Sequence, residues 1–315
     1  MGLAFVFPGQ GSQDIGMGKA LAEAYPAAAA VFAAVDEALD EPLSRLIWEG
    51  PQDALTLTQN AQPALFAVSL AAVAALKAEF GFDIANARFV AGHSLGEYSA
   101  LAAAGALGIA DGARLLRLRG RAMQAAAPVG SGAMASLIGP KVDIAFAEAA
   151  AAAGAHVAPC VVANDNNPGN VVISGAAAGV EAAIAWAKAN GARAIPLAVS
   201  APFHSPLMAP AAEAMRAALA DVAIAAPRPA LIANVTAAPE SDPARLAALL
   251  VEQVTGRVRW RETLESLPGL GVTRLVELGA GKVLTGMAKR VVPDLAAYAA
   301  GNPAELAALA PHLQG

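Results

Sequence analysis

The hydrophobic pattern along the first ninety residues predicts strands that alternate with helices. Leu3–Phe7 is a short apolar run that ends at Pro8-Gly9, which is typical of a buried strand. Helical patterns then fill most of Gly18–Leu39 and Gln62–Phe80, and Ala87–Ala91 is a second short apolar run. This alternation predicts an α/β core built on a parallel sheet.

The middle of the chain has a different order of elements. The predicted strands and helices there follow the order β-α-β-β-α-β, which is the pattern of a ferredoxin-like unit. Their ranges are Ala133–Ile138, Val142–Ala153, Val157–Ala163, Val171–Ser174, Ala177–Asn190 and Ala192–Val199, with a polar turn predicted at Asn164–Asn170. We therefore predict an inserted subdomain at 131–199 and a core made of 1–130 and 200–315.

The core pattern resumes after the insertion. Leu231–Val235 and Arg274–Leu278 are predicted strands, and Pro243–Gln253 is a predicted helix. Asp242 precedes that helix as a suitable N-cap, with proline at the first helical position.

Composition narrows the class of protein. Hydrophobic residues make up 57% of the 315 residues, but much of this is alanine, which favours helices rather than a membrane. We expect no segment of roughly 18 strongly apolar residues, no signal peptide, and no metal cluster built on the single Cys160. These features fit a reducing cytoplasm. A net charge of −5 argues against a nucleic-acid surface.

Gly92-His93-Ser94-Leu95-Gly96 has the Gly-x-Ser-x-Gly spacing of a nucleophile elbow. An apolar run precedes it and an alanine-rich helix, Glu97–Ala106, is predicted to follow it. Such a strand–turn–helix context exposes the serine hydroxyl at a helix N-terminus, where negative charge is favoured. The alternative is a glycine-bounded turn that contains an incidental serine.

A serine nucleophile needs a base, and the chain has four histidines. His93 is adjacent to the serine, so its side chain should diverge from that of Ser94. His156 lies at a predicted helix–strand junction, and His312 lies near the end of the chain. His204 lies between two prolines on a loop after a strand, which makes it the candidate base or an incidental loop residue.

Arg119 falls on the apolar side of a predicted helix over Ala113–Gln124. At about 100° per residue, Arg114, Arg117 and Arg121 fall on the opposite, solvent side. An inward arginine is costly unless it is paired, because guanidinium keeps its charge. The pattern leaves open a salt bridge to a buried carboxylate or the capture of a substrate carboxylate.

The loop after the first strand could supply an oxyanion donor. Elbow enzymes use the amide that follows the nucleophile, here Leu95, together with an amide from a neighbouring loop. Glycines flank Gln10 and would let its backbone approach closely, although an ordinary glycine-rich turn has the same pattern. Gly18-Lys19 and Gly281-Lys282 lack the spacing of phosphate loops, and Asn164 and Asn166 are interpreted as turn residues.

Taken together, the chain from residue 3 to about residue 290 resembles the malonyl-CoA:acyl carrier protein transacylase family. Five motifs in the family's order carry the resemblance: Phe7-Pro8-Gly9-Gln10-Gly11-Ser12-Gln13, Gly92-His93-Ser94-Leu95-Gly96-Glu97-Tyr98, Arg119-Gly120-Arg121-Ala122-Met123-Gln124, Phe203-His204-Ser205-Pro206-Leu207-Met208 and Glu277-Leu278-Gly279-Ala280-Gly281-Lys282-Val283-Leu284. The family's fold is an α/β-hydrolase-like core with an inserted ferredoxin-like subdomain. One departure is Ala280, where the family usually has proline.

The resemblance implies a role for each matching residue. Ser94 would carry the malonyl group, and His204 would act as general base and then as acid. The amides of Gln10 and Leu95 would form the oxyanion hole, and Arg119 would pair with the free carboxylate of malonate. A ping-pong transfer from malonyl-CoA to the pantetheine thiol of acyl carrier protein, for fatty-acid synthesis, would follow.

Two further residues complete the implied site. Gln253 matches the position whose backbone carbonyl orients the histidine, in place of the aspartate of a full triad. Phe203, next to the base, would narrow the pocket and disfavour a branched methylmalonyl group. The resemblance implies no metal and no cofactor besides the coenzyme A thioester of the substrate.

Several alternatives stay open at this point. A serine esterase would use Ser94, but such enzymes place their histidine late in the chain and would leave Arg119 without a role. A binding module with a vestigial site, a polyketide acyltransferase and a malonate decarboxylase subunit are further alternatives. We take a monomer as the starting expectation.

Carrier proteins are acidic, so a docking surface should be locally basic. Arg257, Arg259 and Arg261 form one candidate patch, and Lys188 and Arg193 form another. A solvated surface is the alternative for each of these residues.

Overall fold

The structure of the protein, a computed structural model, describes residues 2–128, 130–199 and 201–313. Val129 and Ser200, which lie at the two predicted boundaries of the insertion, are outside the described residues. In this part of the chain the strands are β1 Leu3–Phe7, β2 Phe89–Gly92, β3 Gly132–Ile138, β4 Cys160–Asn167, β5 Asn170–Ala176, β6 Arg193–Pro196, β7 Leu231–Ile232, β8 Pro239–Glu240, β9 Arg274–Leu278 and β10 Ala296–Ala300.

The helices between these strands are mostly short, with two long core helices. They are α1 Lys19–Ala24, α2 Pro26–Leu39, α3 Leu43–Glu49, α4 Gln52–Thr56, α5 Thr58–Phe80, α6 Gly96–Ala103, α7 Ile109–Ala125, α8 Ile144–Ala155, α9 Ala177–Ala189, α10 Ala209–Ala220, α11 Pro243–Thr255, α12 Trp260–Gly269, α13 Val283–Val291 and α14 Pro303–Leu309. Asp242 caps α11, as predicted, by accepting a hydrogen bond from the Ala244 amide.

Six strands form the first sheet in the order β10-β9-β1-β2-β7-β8. All neighbours are parallel except β7 and β8, which are antiparallel. Phe7 of β1 pairs with Gly92 of β2, and Ala91 pairs with Ile232 of β7. The carboxyl ends of β1, β2 and β7 therefore meet at one edge, which is where open α/β sheets place their sites.

The second sheet confirms the predicted ferredoxin-like unit. Its four strands are antiparallel in the order β4-β5-β3-β6, and helices α8 and α9 pack on it. A separate hydrophobic cluster lies between these helices and the sheet, with Leu137, Ile173 and Val180 among its buried members. The fold is thus an α/β core with a parallel-containing sheet and a distinct antiparallel sheet.

Strand β4 is longer than predicted, and this corrects the interpretation of Asn164 and Asn166 as turn residues. Both are buried within β4, and the turn is confined to Pro168-Gly169. The strand continues because Asn164 bridges Val258 of the core and the Asp165 amide donates to the Val258 carbonyl at 3.0 Å. A backbone partner outside the subdomain extends the strand beyond the apolar run.

Helix α5 corrects a second expectation. Thr58–Phe80 is long and apolar enough to cross a membrane by length and composition, although we expected no such segment. In its most apolar 18-residue stretch, 67% is buried inside the protein, and the helix packs mainly against α2 and α7. A core helix has the same length, composition and burial. Length and composition are therefore weak evidence for a span.

Candidate active site

Ser94 lies in a sharp turn between β2 and α6. Its φ of 53° is in the left-handed region, which non-glycine residues adopt at a cost. A Cβ at Gly92 would lie 1.9 Å from the Gly96 carbonyl oxygen, and a Cβ at Gly96 would lie 2.2 Å from that of Phe7. The two glycines are therefore required by the close approach of backbone segments, and the pattern forms a true elbow.

His204 contacts the serine directly. Its Nε2 lies 2.8 Å from Ser94 Oγ, and its Nδ1 lies 2.8 Å from the Gln253 carbonyl oxygen and 3.2 Å from that of Gly256. Because a carbonyl can only accept, Nδ1 carries the proton and Nε2 is free to accept the serine proton. The last carbonyls of a helix lack intrahelical partners, so the end of α11 can supply one.

The electrostatic surroundings keep His204 neutral. Burial lowers its pKa to about 3, and the positive charge of Arg119 acts in the same direction. No carboxylate among the described residues hydrogen-bonds to this histidine. The imidazole is therefore oriented by backbone carbonyls alone and stays in its basic form at neutral pH.

Arg119 lies inward on α7, as its helical position predicts, and is 1% exposed. Its guanidinium donates to Gln62 Oε1 and Gln253 Oε1, each at 2.9 Å, and to Ser94 Oγ at 3.2 Å. Among the described residues no carboxylate forms an ion pair with it, so the salt-bridge alternative is wrong. A buried cation is thus held by amides beside the nucleophile.

Helices α5 and α7 approach closely enough to bring the arginine to Gln62. A Cβ at Gly120 would lie 2.5 Å from the Gln59 Cα, so the glycine allows this contact. One prediction on α7 is wrong, because the Arg117 side chain is only 7% exposed rather than solvent-facing. It lies between Glu41, at 2.7 Å, and Asn60, so its charge is paired at the edge of the core.

The two predicted oxyanion donors lie in the wall of one cavity. Gln10 and Leu95 line it, and neither amide donates to an acceptor among the described residues. Free N–H groups at a cavity that contains the nucleophile are suited to a developing oxyanion. The Gln10 side chain is turned toward Thr58, with Nε2 3.4 Å from its Oγ1.

The cavity has a volume of about 410 Å³. Residues of the core and of the predicted subdomain both line it. They include Ser94, His204, Arg119, Phe203, Met134, Asn164 and Leu197. Phe203, which precedes His204, is buried and forms part of the cavity wall.

In the described part of the chain, none of the other three histidines hydrogen-bonds to Ser94 Oγ, although His93 also lines the cavity. His93 diverges from Ser94, as expected, and its Nε2 lies 2.9 Å from Asn166 Oδ1 of β4. Its ring packs edge-on against Trp260, and burial lowers its pKa. His156 follows α8, and His312 stacks on Tyr298.

A buried polar network beneath the elbow was missed by sequence reasoning. Glu97 accepts hydrogen bonds from the Gln253 side chain and from the Asn234 amide, and burial raises its pKa to about 8. Gln62 also went unassigned. Asn234 could have been found, since it lies just after β7 at the carboxyl edge of the sheet.

The two candidate docking patches differ in their free charge. Arg257 pairs with Glu148, Arg259 with Glu262, and Arg261 with Asp165 and Glu265. Lys188 and Arg193 are exposed on the subdomain, and no ion pair of theirs occurs among the described residues. Among residues 2–128, 130–199 and 201–313, no three or more histidine, cysteine, aspartate or glutamate side chains are grouped so that they could hold a metal ion.

Known proteins match this chain in sequence or in structure over nearly its whole length. The acyl transferase domain family matches residues 4–314. A malonyl CoA-acyl carrier protein transacylase of Bacillus subtilis (strain 168) is 46% identical over 302 residues, covering 96% of this chain and 94% of that protein.

Two solved structures match as well. An acyl-carrier-protein-S-malonyltransferase from Bartonella henselae has a TM-score of 0.97 and 55% identity, with 100% of both chains covered. A malonyl-transacylase in complex with a type II PKS acyl-carrier protein has a TM-score of 0.94 and 40% identity, covering 98% of this chain and 99% of that chain. The chain described here belongs to the malonyl CoA-acyl carrier protein transacylase family of acyl transferases.

Proposed function

We propose that the protein transfers a malonyl group from malonyl-CoA to the pantetheine thiol of acyl carrier protein through a malonyl-serine intermediate. One observation carries the proposal: Ser94 Oγ lies 2.8 Å from the His204 base and 3.2 Å from the buried Arg119 guanidinium, whose other hydrogen-bond partners are the neutral side-chain amides of Gln62 and Gln253. Nucleophile, base and carboxylate-binding cation thus meet at one atom.

In the first half-reaction, His204 Nε2 accepts the Ser94 Oγ proton as the oxygen attacks the thioester carbonyl. The tetrahedral oxyanion receives hydrogen bonds from the amides of Gln10 and Leu95. When the C–S bond breaks, the proton on Nε2 goes to the sulfur of coenzyme A, and a malonyl ester remains on Ser94.

The second half-reaction reverses these steps with another thiol. The pantetheine sulfur of the carrier protein attacks the ester carbonyl while His204 accepts its proton. The ester bond then breaks, and the proton returns to Ser94 Oγ. Because every bond change uses one hydroxyl, one imidazole and two thiols, we propose no cofactor besides the coenzyme A of the substrate.

Arg119 supplies selectivity for an acyl group that keeps a free carboxylate. A planar guanidinium matches a carboxylate with two parallel hydrogen bonds, and in this structure neutral amides accept from these donors. When a substrate carboxylate binds, the guanidinium therefore gains an anionic acceptor in place of neutral ones. Phe203 next to the base would limit space for a branched acyl group.

The pathway and setting are part of the same proposal. We propose the carrier protein of fatty-acid synthesis as the first candidate. The Bartonella henselae and Bacillus subtilis relatives are named only for an acyl carrier protein, and the complex with a type II PKS carrier protein keeps a polyketide carrier as the second candidate. We propose a cytoplasmic monomer, with Lys188 and Arg193 as the basic docking patch for an acidic carrier.

Intact-mass measurement after incubation with malonyl-CoA tests the proposal. We expect a malonyl adduct that persists and that is absent from the Ser94→Ala variant. Rapid release of free malonate would instead indicate an esterase, and no adduct on the wild-type protein would contradict acyl chemistry altogether.

A further inference from the structure

A buried asparagine joins the two sides of the nucleophile turn. Asn234 is fully buried, and its Oδ1 accepts a hydrogen bond from the Ser94 amide at 2.8 Å. Its Nδ2 donates to the Gly92 carbonyl at 2.7 Å. One side-chain amide thus satisfies a donor and an acceptor on the two sides of His93.

The sheet places this side chain, and the backbone of Asn234 fixes it. The residue lies two positions after β7, whose neighbour β2 ends at Gly92. Its own carbonyl accepts from the Arg259 amide at 3.0 Å, and its own amide donates to Glu97 Oε1 at 3.3 Å. The backbone carbonyl and the backbone amide of Asn234 are therefore both hydrogen-bonded, which fixes the position from which its side chain reaches the elbow.

The elbow needs such a clamp because Ser94 has a positive φ. A non-glycine residue in this region carries a cost on the order of 1–3 kcal/mol. The Ser94 amide has no other acceptor among the described residues, so without Asn234 it would lose its hydrogen bond within the protein. Relaxation of the turn would move Oγ away from His204 Nε2.

The hydrogen bond between Asn234 and the Ser94 amide also affects which backbone amides of the elbow can donate to a substrate. Since Asn234 takes the Ser94 amide, the next amide, that of Leu95, is the elbow donor that remains free at the cavity. Asn234 Oδ1 also accepts from Gln253 Nε2 at 3.3 Å, which connects the clamp to the residue whose carbonyl orients His204.

We propose that Asn234 is a positioning residue that holds Ser94 in its left-handed conformation and sets the reach of Oγ to His204. The inference deepens the proposed function and rests on it only for the identity of the acyl group. Asn234 itself touches no reacting atom.

The Asn234→Asp variant offers a pH-dependent test. Its protonated carboxyl can donate to the Gly92 carbonyl and accept from the Ser94 amide, as the asparagine does. An ionised carboxylate keeps the second bond but repels the Gly92 oxygen. Glu97 is the titratable group in contact with residue 234. Gln253 connects residue 234 to two further groups, the guanidinium of Arg119 and the imidazole of His204.

The reactivity of Ser94 is read with a fluorophosphonate probe, which needs no malonyl group. The Oγ–P bond forms, the P–F bond breaks, fluoride leaves, and His204 Nε2 accepts the proton. We expect labelling by Asn234→Asp to approach the wild-type rate at low pH and to fall on the order of 100-fold below it at high pH, since a misplacement of about 1 Å has such effects.

Two further variants complete the experiment. Asn190→Asp is the matched control, because Asn190 also donates to a backbone carbonyl, that of Trp186, but on the exposed end of α9. Its labelling rate should follow the wild-type profile. Asn234→Ala, which lacks both bonds, should be slow at every pH, and it keeps the test decisive if Asn234→Asp folds poorly.

A wild-type labelling rate in Asn234→Ala would overturn the proposal, and so would a constant ratio of Asn234→Asp to wild type across pH. Malonyl-CoA is added in parallel to the same proteins. If wild type reacts with the fluorophosphonate but gains no malonyl adduct, the proposed function fails while the role of Asn234 is still judged by labelling.

Discussion

At the scale of single residues, Arg119 distinguishes this site from that of a general serine hydrolase. Its guanidinium is buried beside Ser94, yet its partners Gln62 and Gln253 are neutral. A carboxylate from the protein would have neutralised the arginine and blocked it. Instead, two neutral side-chain amides accept hydrogen bonds from its terminal nitrogens, which leaves its charge for a ligand.

Removal of this charge should separate two acyl groups. In Arg119→Ala we expect kcat/KM for malonyl-CoA to fall steeply while kcat/KM for acetyl-CoA holds or rises. Each lost charge-assisted hydrogen bond should cost on the order of 1.5–3 kcal/mol, roughly tenfold or more in rate. Steady-state kinetics with both thioesters measures the difference.

Arg121→Ala is the matched control for this prediction, because Arg121 lies on the same helix and pairs with Glu41 at the surface. It should leave both rates unchanged. An equal loss of malonyl and acetyl transfer in Arg119→Ala would contradict the carboxylate role.

The His204 base should remain active in mild acid. Burial and Arg119 lower its pKa from 6.5 to about 3, so the imidazole stays unprotonated well below the usual range. Because kcat/KM reports groups of the free enzyme, we expect no loss of kcat/KM for malonyl-CoA around pH 6.5 on going from pH 7 to pH 5. A tenfold drop per pH unit below 6.5 would show that the histidine titrates normally.

At the scale of elements, the close approach of α5 and α7 sets where Arg119 meets Gln62. An alanine at Gly120 would place its Cβ 2.5 Å from the Gln59 Cα and would force the helices apart. We expect Gly120→Ala to lower the free energy of unfolding by about 1–3 kcal/mol. We also expect it to reduce malonyl transfer more than acetyl transfer.

Gly286→Ala is the control, since a Cβ there meets no atom within 4 Å in the middle of α13. It should raise the free energy of unfolding by about 0.5–1 kcal/mol through helix propensity. Urea unfolding measures both proteins, and a Gly120→Ala variant as stable and as selective as wild type would refute the packing argument.

Sequence periodicity located most elements because apolar runs and turn residues are local signals. Arg274–Leu278 was predicted to the residue, and the inward position of Arg119 followed from helical phase. Asn164 and Asn166 were misplaced because a non-local partner, Val258, extends β4. Arg117 was misplaced because Glu41, far away in sequence, covers it.

The side-chain contacts of the polar network could not be predicted for the same reason, although Asn234 and Gln253 each had a signal in the sequence. Asn234 and Gln253 reach Ser94 only because β7 and α11 fold back to the elbow, 140 and 159 positions away in sequence. Periodicity reports which residues are buried but not which polar groups meet. The family motifs pointed to the reacting residues, and the resemblance pointed to Gln253 as the residue that orients His204, whereas the contacts of Asn234 and Gln62 are seen only in the tertiary fold.

At the scale of the whole molecule, residues from the regions of both sheets line the reaction cavity. The turn after β2 contributes the nucleophile, the loop after β6 contributes the base, and the second sheet contributes Met134 and Asn164 to the wall. The His93–Asn166 hydrogen bond joins the elbow to β4 directly. Global stability and site geometry are therefore coupled.

Global stability should carry a signature of the buried base. His204 has a pKa of about 3 when folded and 6.5 when unfolded, so the unfolded chain binds more protons between these values. This contribution to stability is complete above pH 6.5 and declines as pH falls below it, by up to about 1.4 kcal/mol per pH unit.

Glu97 has the opposite effect on stability, because burial raises its pKa to about 8 and its contribution to stability therefore grows as pH falls. Comparison of wild type with His204→Gln, which keeps Glu97, isolates the contribution of the histidine. In urea unfolding from pH 7.5 to pH 5, wild type should lose stability relative to the variant. Parallel curves for the two proteins would contradict the buried neutral histidine.

In the proposed mechanism, Ser94 holds the malonyl group between its transfer from one thiol and its transfer to another. The most direct measurement is a single-turnover transfer, in which malonyl-enzyme freed of coenzyme A is mixed with carrier protein and followed by intact mass. We expect carrier protein bearing pantetheine to gain the malonyl group one-for-one as Ser94 becomes free, and carrier protein without pantetheine to gain none. Release of the malonyl group as free malonate in both mixtures would contradict this mechanism.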